Sequence, residues 1–325
     1  MLAGSIVRAG KIDLIDIDEP TLGDAPKGVS GEIIFQPHVA CLCGSDLPYF
    51  CQEQSSYPLA PGLSLHEMVG TVIETSGKRF KKGDRVLAVP EGQVGLFERY
   101  AVDENRVIPL DPRKPPHIAM MAQPLGTILY ALKKIPQFLD KDVVIVGQGP
   151  IGQLFAAALR NLGARHIIGI DPLASRLAKS PVMGATHVID SSKQDPLEEV
   201  SRITNGRLAD IVVEAVGHED QALDLCGALC RHAGSILYFG VPDGGIHSAT
   251  WRELFLKNIA IYTTVNPDFE RDFPLAMQWI SEGRIDVEPI ITHTFPLEQI
   301  QTAFETFRDR VDGALKVQVD FPCDW

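Results

Sequence analysis

The hydrophobic positions change rhythm partway along the chain. Up to about residue 122, apolar residues come in short runs broken by Gly, Pro, Asp and Lys. GEIIFQPHVA, EMVGTVIET and DRVLAVP are such runs. Their β-branched content and flanking turn formers predict short strands of a compact all-β unit. From about residue 126, strand-like and helical runs alternate. DVVIVG (142–147) is almost continuously apolar, as expected of a strand covered on both faces in a parallel sheet. IGQLFAAALRNLGA (151–164) has helical spacing, with Gly163 where a C-terminal cap belongs. RHIIGID, ASRLAKSPVMGA (a helix broken at Pro181), THVID, DIVVEAVG and GSILYFGV continue the series. Repeated βα units predict an α/β fold with a doubly wound parallel sheet. After about residue 266 the alternation fades. FPLAMQWISEG and LEQIQTAFETFR read as amphipathic helices and ALKVQVDF as a last strand.

Composition narrows the function classes. A chain of 325 residues suits about two domains. Hydrophobic residues at 45% and charged residues at 22% are ordinary for a globular protein, which sets aside a disordered or fibrous chain. The formal charge of −12 is spread along the sequence and repels phosphate backbones, so nucleic acid is not the expected partner. No apolar run approaches the ~18 residues of a membrane span. The first residues lack the pattern of a secretory leader, so a reducing cytoplasm is expected. There the six cysteines are read as thiols or metal ligands before disulfides.

Gly147-Gln148-Gly149-Pro150-Ile151-Gly152 fits G-x-G-x-x-G between a predicted buried strand and a predicted helix, the context that gives the pattern meaning. Gly147 permits a tight turn, Gly149 lets backbone approach a pyrophosphate, and Gly152 lets the helix pack closely on the strand. Pro150 and Ile151 open the helix whose N-terminal N–H groups would face the anion. Asp171 ends the next strand, nineteen residues after Gly152, where a carboxylate can accept from ribose hydroxyls. It would repel a 2′-phosphate, so NAD is expected over NADP, although Arg176 lies near in sequence.

Cys43-Gly44-Ser45-Asp46 follows the first long predicted strand, and His66-Glu67 opens the next. Thiolate, imidazole and carboxylate together are good zinc ligands. Ser45 is a short hydroxyl suited to proton exchange with a metal-bound oxygen.

At this point the chain resembles the zinc-dependent medium-chain dehydrogenase/reductase family over nearly its whole length. The resemblance rests on KIDLIDIDEP, CGSD, HEMVGTV, KKGDRVLAVP, GLFERYAV, the glycine fingerprint, DIVVEAVG, YFGVPDG and ITHTFPLEQIQTAFE. It implies a GroES-like catalytic domain over 1–126 and 267–325, wrapped around a Rossmann NAD-binding domain over 127–266. It implies that Cys43 and His66 are zinc ligands, that Glu67 is the adjacent glutamate some members use as a ligand, and that the third protein ligand falls at Gln123. Ser45 matches the hydroxyl that bonds the substrate alcohol, and Asp46 the carboxylate that orients the zinc histidine. Thr127 and Val241 match positions beside the cofactor. The activity implied is NAD-linked interconversion of a secondary alcohol, polyol or sugar with its carbonyl, with threonine- and sugar-dehydrogenase-like members as alternatives. A nucleotide-binding protein with a degraded zinc site is the alternative from another class. Homodimers or homotetramers joined through GSILYFGVP and NIAIYTTV are implied as well.

Three positions depart from the family pattern. Gln123 is neutral, which leaves a zinc more electrophilic and less tightly held. Pro48 stands where many members have the histidine that passes the proton to solvent; His38, a candidate substitute, reads as a surface histidine. Leu65 replaces the glycine before the zinc histidine, which predicts a local backbone rearrangement. The stretch after DRVLAVP has no cysteines, so one catalytic zinc and no structural zinc is expected. Of the other cysteines, Cys226 and Cys230 read as one apolar helix facing the sheet. Cys41 is expected on the face opposite Cys43. Cys51 flanks the site, and Cys323 lies near the end of the chain, inert.

Overall fold

Where the rhythm changes, the sheet changes. The structure, a computed structural model, describes residues 1–23, 31–217, 222–242 and 251–322. The chain divides into two compact units, one of residues 1–126, 268–282 and 291–325, the other of residues 127–267 and 283–290. Residues 283–290, which the sequence reading assigns to the β unit, pack with the second unit. There Asn161 donates to the carbonyl of Arg284 at 2.7 Å.

The first unit is built on a seven-stranded sheet. Its order is Ile291–Pro296, Lys316–Asp320, Glu32–Cys41, Glu67–Thr75, Arg85–Ala88 and Val107–Pro109, with Tyr100–Asp103 paired to the first residues of Glu32–Cys41. All pairings are antiparallel except that of Ile291–Pro296 with Lys316–Asp320. Glu32–Cys41 is central and buried along most of its length, which is why its sequence shows no clean alternation. The Ile300–Asp309 helix brings Phe304 onto Phe50, ring centroids 5.0 Å apart, and both side chains are fully buried.

The second unit carries the parallel sheet, in the order His187–Asp190, His166–Asp171, Asp142–Val146, Ala209–Glu214, Cys230–Tyr238 and Ala260–Thr263. Asp142–Val146 lies inside it and is buried throughout, as its unbroken apolar run requires. The following helix is Pro150–Asn161, and Gly163 just beyond it takes a left-handed φ of 80°.

The ASRLAKSPVMGA segment holds a single helical turn, Ala174–Leu177. Ser180 turns its hydroxyl inward to Gln148 at 2.8 Å, and Pro181 cannot supply the next helical N–H. Cys226 sits on the Ala222–Leu229 helix, but Cys230 is not on that helix. It begins the next strand, and its thiol points to the carbonyl of Ser235 at 3.7 Å. His38 is 4% exposed rather than at the surface, and burial with the charge of Arg85 lowers its pKa to about 4. Cys323 lies outside the described residues.

Candidate metal and dinucleotide sites

The metal candidates converge in the first unit. One donor atom each from Cys43, His66 and Glu67 lies within 4.8 Å of the others. Cys43 follows the end of the central strand, and Glu67 begins the neighbouring strand, opposite Cys41 in the ladder. Asp46 ties the two approaches together. Its Oδ2 accepts from the backbone N–H of Cys43 at 2.7 Å. Its Oδ1 accepts from the Ser64 hydroxyl at 2.7 Å and from the Leu65 N–H at 2.9 Å. The same Oδ1 stands 4.0 Å from His66 Nδ1, beyond hydrogen-bond reach. Asp46 therefore fixes the loops that carry Cys43 and His66, where the sequence reading has it holding the imidazole directly.

The backbone before His66 keeps the conformation that glycine would favour. Ser64 has φ 103° and Leu65 φ 64°, two successive left-handed residues with side chains. Each such residue costs on the order of 1–2 kcal/mol. The two bonds to Asp46, the Ser64–Gln93 backbone pairing at 2.6 Å and the complete burial of Leu65 in the core hold the turn in place. The rearrangement expected from Leu65 does not occur, because the surrounding contacts impose the turn instead.

Two polar atoms at this site are buried without a hydrogen-bond partner: the Ser45 hydroxyl and His66 Nδ1. Buried polar atoms are ordinarily satisfied. Orphaned atoms beside a thiol, an imidazole and a carboxylate fit a site made for a metal and a polar ligand. Gln123 is buried at the start of the Ala122–Leu132 helix in the same unit, while Thr127, further along that helix, is half-buried and belongs to the second unit.

Sequence reasoning missed Lys316. Its ammonium pairs with Glu67 Oε2 and donates to the Leu42 carbonyl at 3.3 Å; both charged side chains are 1% exposed. The sheet explains the pairing. Lys316 and Glu67 lie on the two strands flanking Glu32–Cys41, both at its Cys41 end. Burial pushes the Glu67 carboxyl above the usual range while Lys316 pulls it back. Burial also pushes the Cys41 thiol far up, which keeps it protonated in the metal-free protein.

The second unit shapes the glycine loop as its sequence requires. Gly147 has φ 93°, and a Cβ there would stand 2.9 Å from the Ala215 carbonyl oxygen. A Cβ on Gly152 would stand 1.9 Å from the Gly147 carbonyl oxygen, so only glycine lets the helix sit this close. Gly149 is open: the nearest atoms to an added Cβ belong to the Arg176 guanidinium, 3.7–3.8 Å away. Pro150 and Ile151 open the helix, and no side chain caps its N-terminus, which leaves N–H groups for an anion. Asp171 ends its strand beside this loop and is 3% exposed. Its Oδ2 accepts from Gln148 N–H at 2.8 Å, with Arg176 Nη1 at 3.4 Å, and its Oδ1 accepts from Leu173 N–H at 2.9 Å. A ribose would use the lone pairs that these bonds leave over. Val241 follows the Cys230–Tyr238 strand and is 59% exposed.

Comparisons with known proteins find zinc-binding and alcohol dehydrogenases. A model described as zinc-binding dehydrogenase matches residues 150–282, and one described as alcohol dehydrogenase GroES-like domain matches residues 29–111. Sorbitol dehydrogenase of Bacillus subtilis (strain 168) is 27% identical over 319 residues, covering 89% of this chain and 90% of its own. L-threonine 3-dehydrogenase of Bacillus licheniformis is 25% identical over 320 residues, covering 87% of this chain and 90% of its own. The alcohol dehydrogenase TADH from Thermus sp. ATN1 superposes with a TM-score of 0.87 over 98% of this chain and 99% of its own, at 23% identity, and so shares the fold.

Proposed function

Because the chain belongs to the zinc-dependent medium-chain dehydrogenase/reductase family and is an oxidoreductase of the alcohol dehydrogenase type, we propose that it moves hydride between NAD and a secondary alcohol, polyol or sugar. The observation that carries this reading is the convergence of Cys43, His66 and Glu67 within 4.8 Å, beside the unpartnered Ser45 hydroxyl. These three residues would hold one catalytic zinc, with Gln123 or water completing four-coordination. When bound, zinc supplies Lewis-acid polarisation of the substrate oxygen, and the dinucleotide supplies the hydride chemistry. The chain supplies position and proton handling. Ser45 Oγ accepts a hydrogen bond from the substrate hydroxyl and, as it takes that proton, passes its own on to a cofactor ribose or water, since Pro48 offers no imidazole for the exit. Asp46 keeps the Cys43 and His66 loops in register. The Gly147–Gly152 turn and the open helix end receive the pyrophosphate, and Asp171 meets the adenosine ribose.

The Asp171 carboxylate disfavours a 2′-phosphate, so NAD is the preferred cofactor, with Arg176 at 3.4 Å softening the preference. The test is a panel of polyols, sugars, simple secondary alcohols and L-threonine, assayed with NAD and with NADP on protein of measured zinc content. Turnover with at least one alcohol, faster with NAD and dependent on zinc, is expected. No retained zinc and no turnover after zinc is returned would sink the reading in favour of a nucleotide-binding protein without dehydrogenase activity.

We place the protein in the cytoplasm. The five described cysteines are free thiols, and among the described residues no helix is long and apolar enough to cross a membrane. Assembly is proposed through the edge of the parallel sheet. Ala260–Thr263 is its outermost strand, and the Trp251–Leu256 helix just before it exposes Trp251, Phe255 and Leu256 at 62%, 74% and 55%. An open edge beside exposed apolar side chains suits pairing with a second copy. GSILYFGVP, also expected at that edge, lies one strand in. Light scattering should give two or four times the 35.6 kDa chain mass. A monomer at micromolar concentration would contradict this.

A further inference from the structure

Glu214 is a buried carboxylate that neither the metal chemistry nor the fold class calls for. It ends the Ala209–Glu214 strand with no exposure at all. Its Oε1 accepts from the backbone N–H groups of Val216 at 2.8 Å and Gly217 at 2.9 Å. Its Oε2 accepts from Gly240 N–H at 2.9 Å, across in the turn after the next strand. One carboxylate thus joins two loops, 215–217 and 239–241, at the carboxyl ends of adjacent strands. The joint is tight. A Cβ on Gly240 would lie 2.4 Å from the Cα and N of Gly217, and a Cβ on Gly147 would lie 2.9 Å from the Ala215 carbonyl oxygen. The 215–217 loop is therefore wedged between the glycine loop on one side and Gly240 on the other. Two apolar side chains in these loops, Val216 and Val241, remain 41% and 59% exposed.

The strand order says what passes over this joint. Asp171 ends the strand on one side of the glycine loop, and the Glu214-joined loops end the strands on the other. Ligands of open parallel sheets lie outside the carboxyl ends of the strands. A dinucleotide with its ribose at Asp171 and its pyrophosphate at Gly149 must carry its nicotinamide half over 215–217 and 239–241. We propose that Glu214 is a positioning residue for the nicotinamide half of the dinucleotide, holding Val216 and Val241 at a fixed separation as the two sides of that subsite. The proposal rests on the dinucleotide reading above. A positioned ring is where binding becomes rate, because small misplacements of a reacting group cost heavily.

The test separates the two halves of the cofactor. Dissociation constants for NADH and for ADP-ribose, which lacks nicotinamide, are measured by calorimetry on the wild type and on Glu214→Gln. The amide keeps the size of the side chain but turns an N–H₂ group toward one of its three N–H partners. NADH binding is expected to weaken about tenfold, a loss of about 1.4 kcal/mol, while ADP-ribose stays within about twofold. Equal loss for both ligands would make Glu214 a support of the fold and overturn the proposal, as would no loss for either. If Glu214→Gln lacks a cooperative melt, Gly240→Ala, whose Cβ forces the same two loops apart, is judged by the same outcomes. A wild type that binds neither ligand overturns the dinucleotide reading, and this proposal with it.

Discussion

Cys43→Ala is expected to lose its zinc and at least about three orders of magnitude in turnover, while still binding NADH as the wild type does. The size follows from the Lewis-acid contribution of a bound metal, several kcal/mol at 1.36 kcal/mol per tenfold in rate. The selectivity follows from the structure. The Asp46 carboxylate accepts from the backbone N–H of Cys43, so truncating the side chain leaves that tie in place. The glycine loop, Asp171 and Arg176 belong to the other unit and are untouched. Cys41 is no ready substitute for the lost ligand, because it is fully buried and stands outside the donor cluster of Cys43, His66 and Glu67. Zinc content by mass spectrometry and NADH binding by fluorescence check the two halves. A variant that keeps more than a tenth of the wild-type rate would remove Cys43 from the metal set.

How far the sequence carries depends on what each residue answers to. The glycine fingerprint was legible because Gly147 and Gly152 answer local steric demands: an added Cβ would stand 2.9 Å from the Ala215 carbonyl oxygen at the first and 1.9 Å from the Gly147 carbonyl oxygen at the second. The apolar run 142–147 was legible because a parallel strand is buried on both faces. Lys316 was not legible. In KVQVD, Val317 and Val319 alternate with Lys316, Gln318 and Asp320, which reads as a strand with one wet face. Lys316 and Gln318 are each 1% exposed, because neighbouring elements cover that face as well. Leu65 misled for a related reason. Its sequence position argues against a left-handed turn, yet Asp46, distant along the chain, holds one there. His38 looked like a surface histidine because polarity was the only guide to its position. In each case tertiary contacts override a local preference, and for Lys316 and Leu65 they do so beside the site.

Lys316→Met should be among the most destabilising single changes in the metal-free protein. The ammonium and the Glu67 carboxylate are each 1% exposed and paired to one another. Deleting the cation leaves a buried charge without compensation, at a cost of about 3–5 kcal/mol, unless Glu67 takes up a proton. The melting temperature should fall by at least about 5 °C. The double variant Glu67→Met, Lys316→Met should recover most of that loss. Replacing a buried ion pair by apolar side chains of similar volume is often neutral or stabilising. The two changes then couple strongly, as contacting residues do. The zinc response separates the pair's two duties. Lys316→Met keeps the carboxylate and should still take up zinc, with the added cation restoring part of the lost stability. The double variant should be stable but weak in zinc, since one donor of the set is gone. Scanning fluorimetry with and without zinc reads both. Identical melting of Lys316→Met and wild type would overturn this prediction, and would mean either that Glu67 takes up a proton in the variant or that the pair is not buried as the structure has it. Full zinc affinity in the double variant would take Glu67 out of the metal set and leave it, with Lys316, as structure alone.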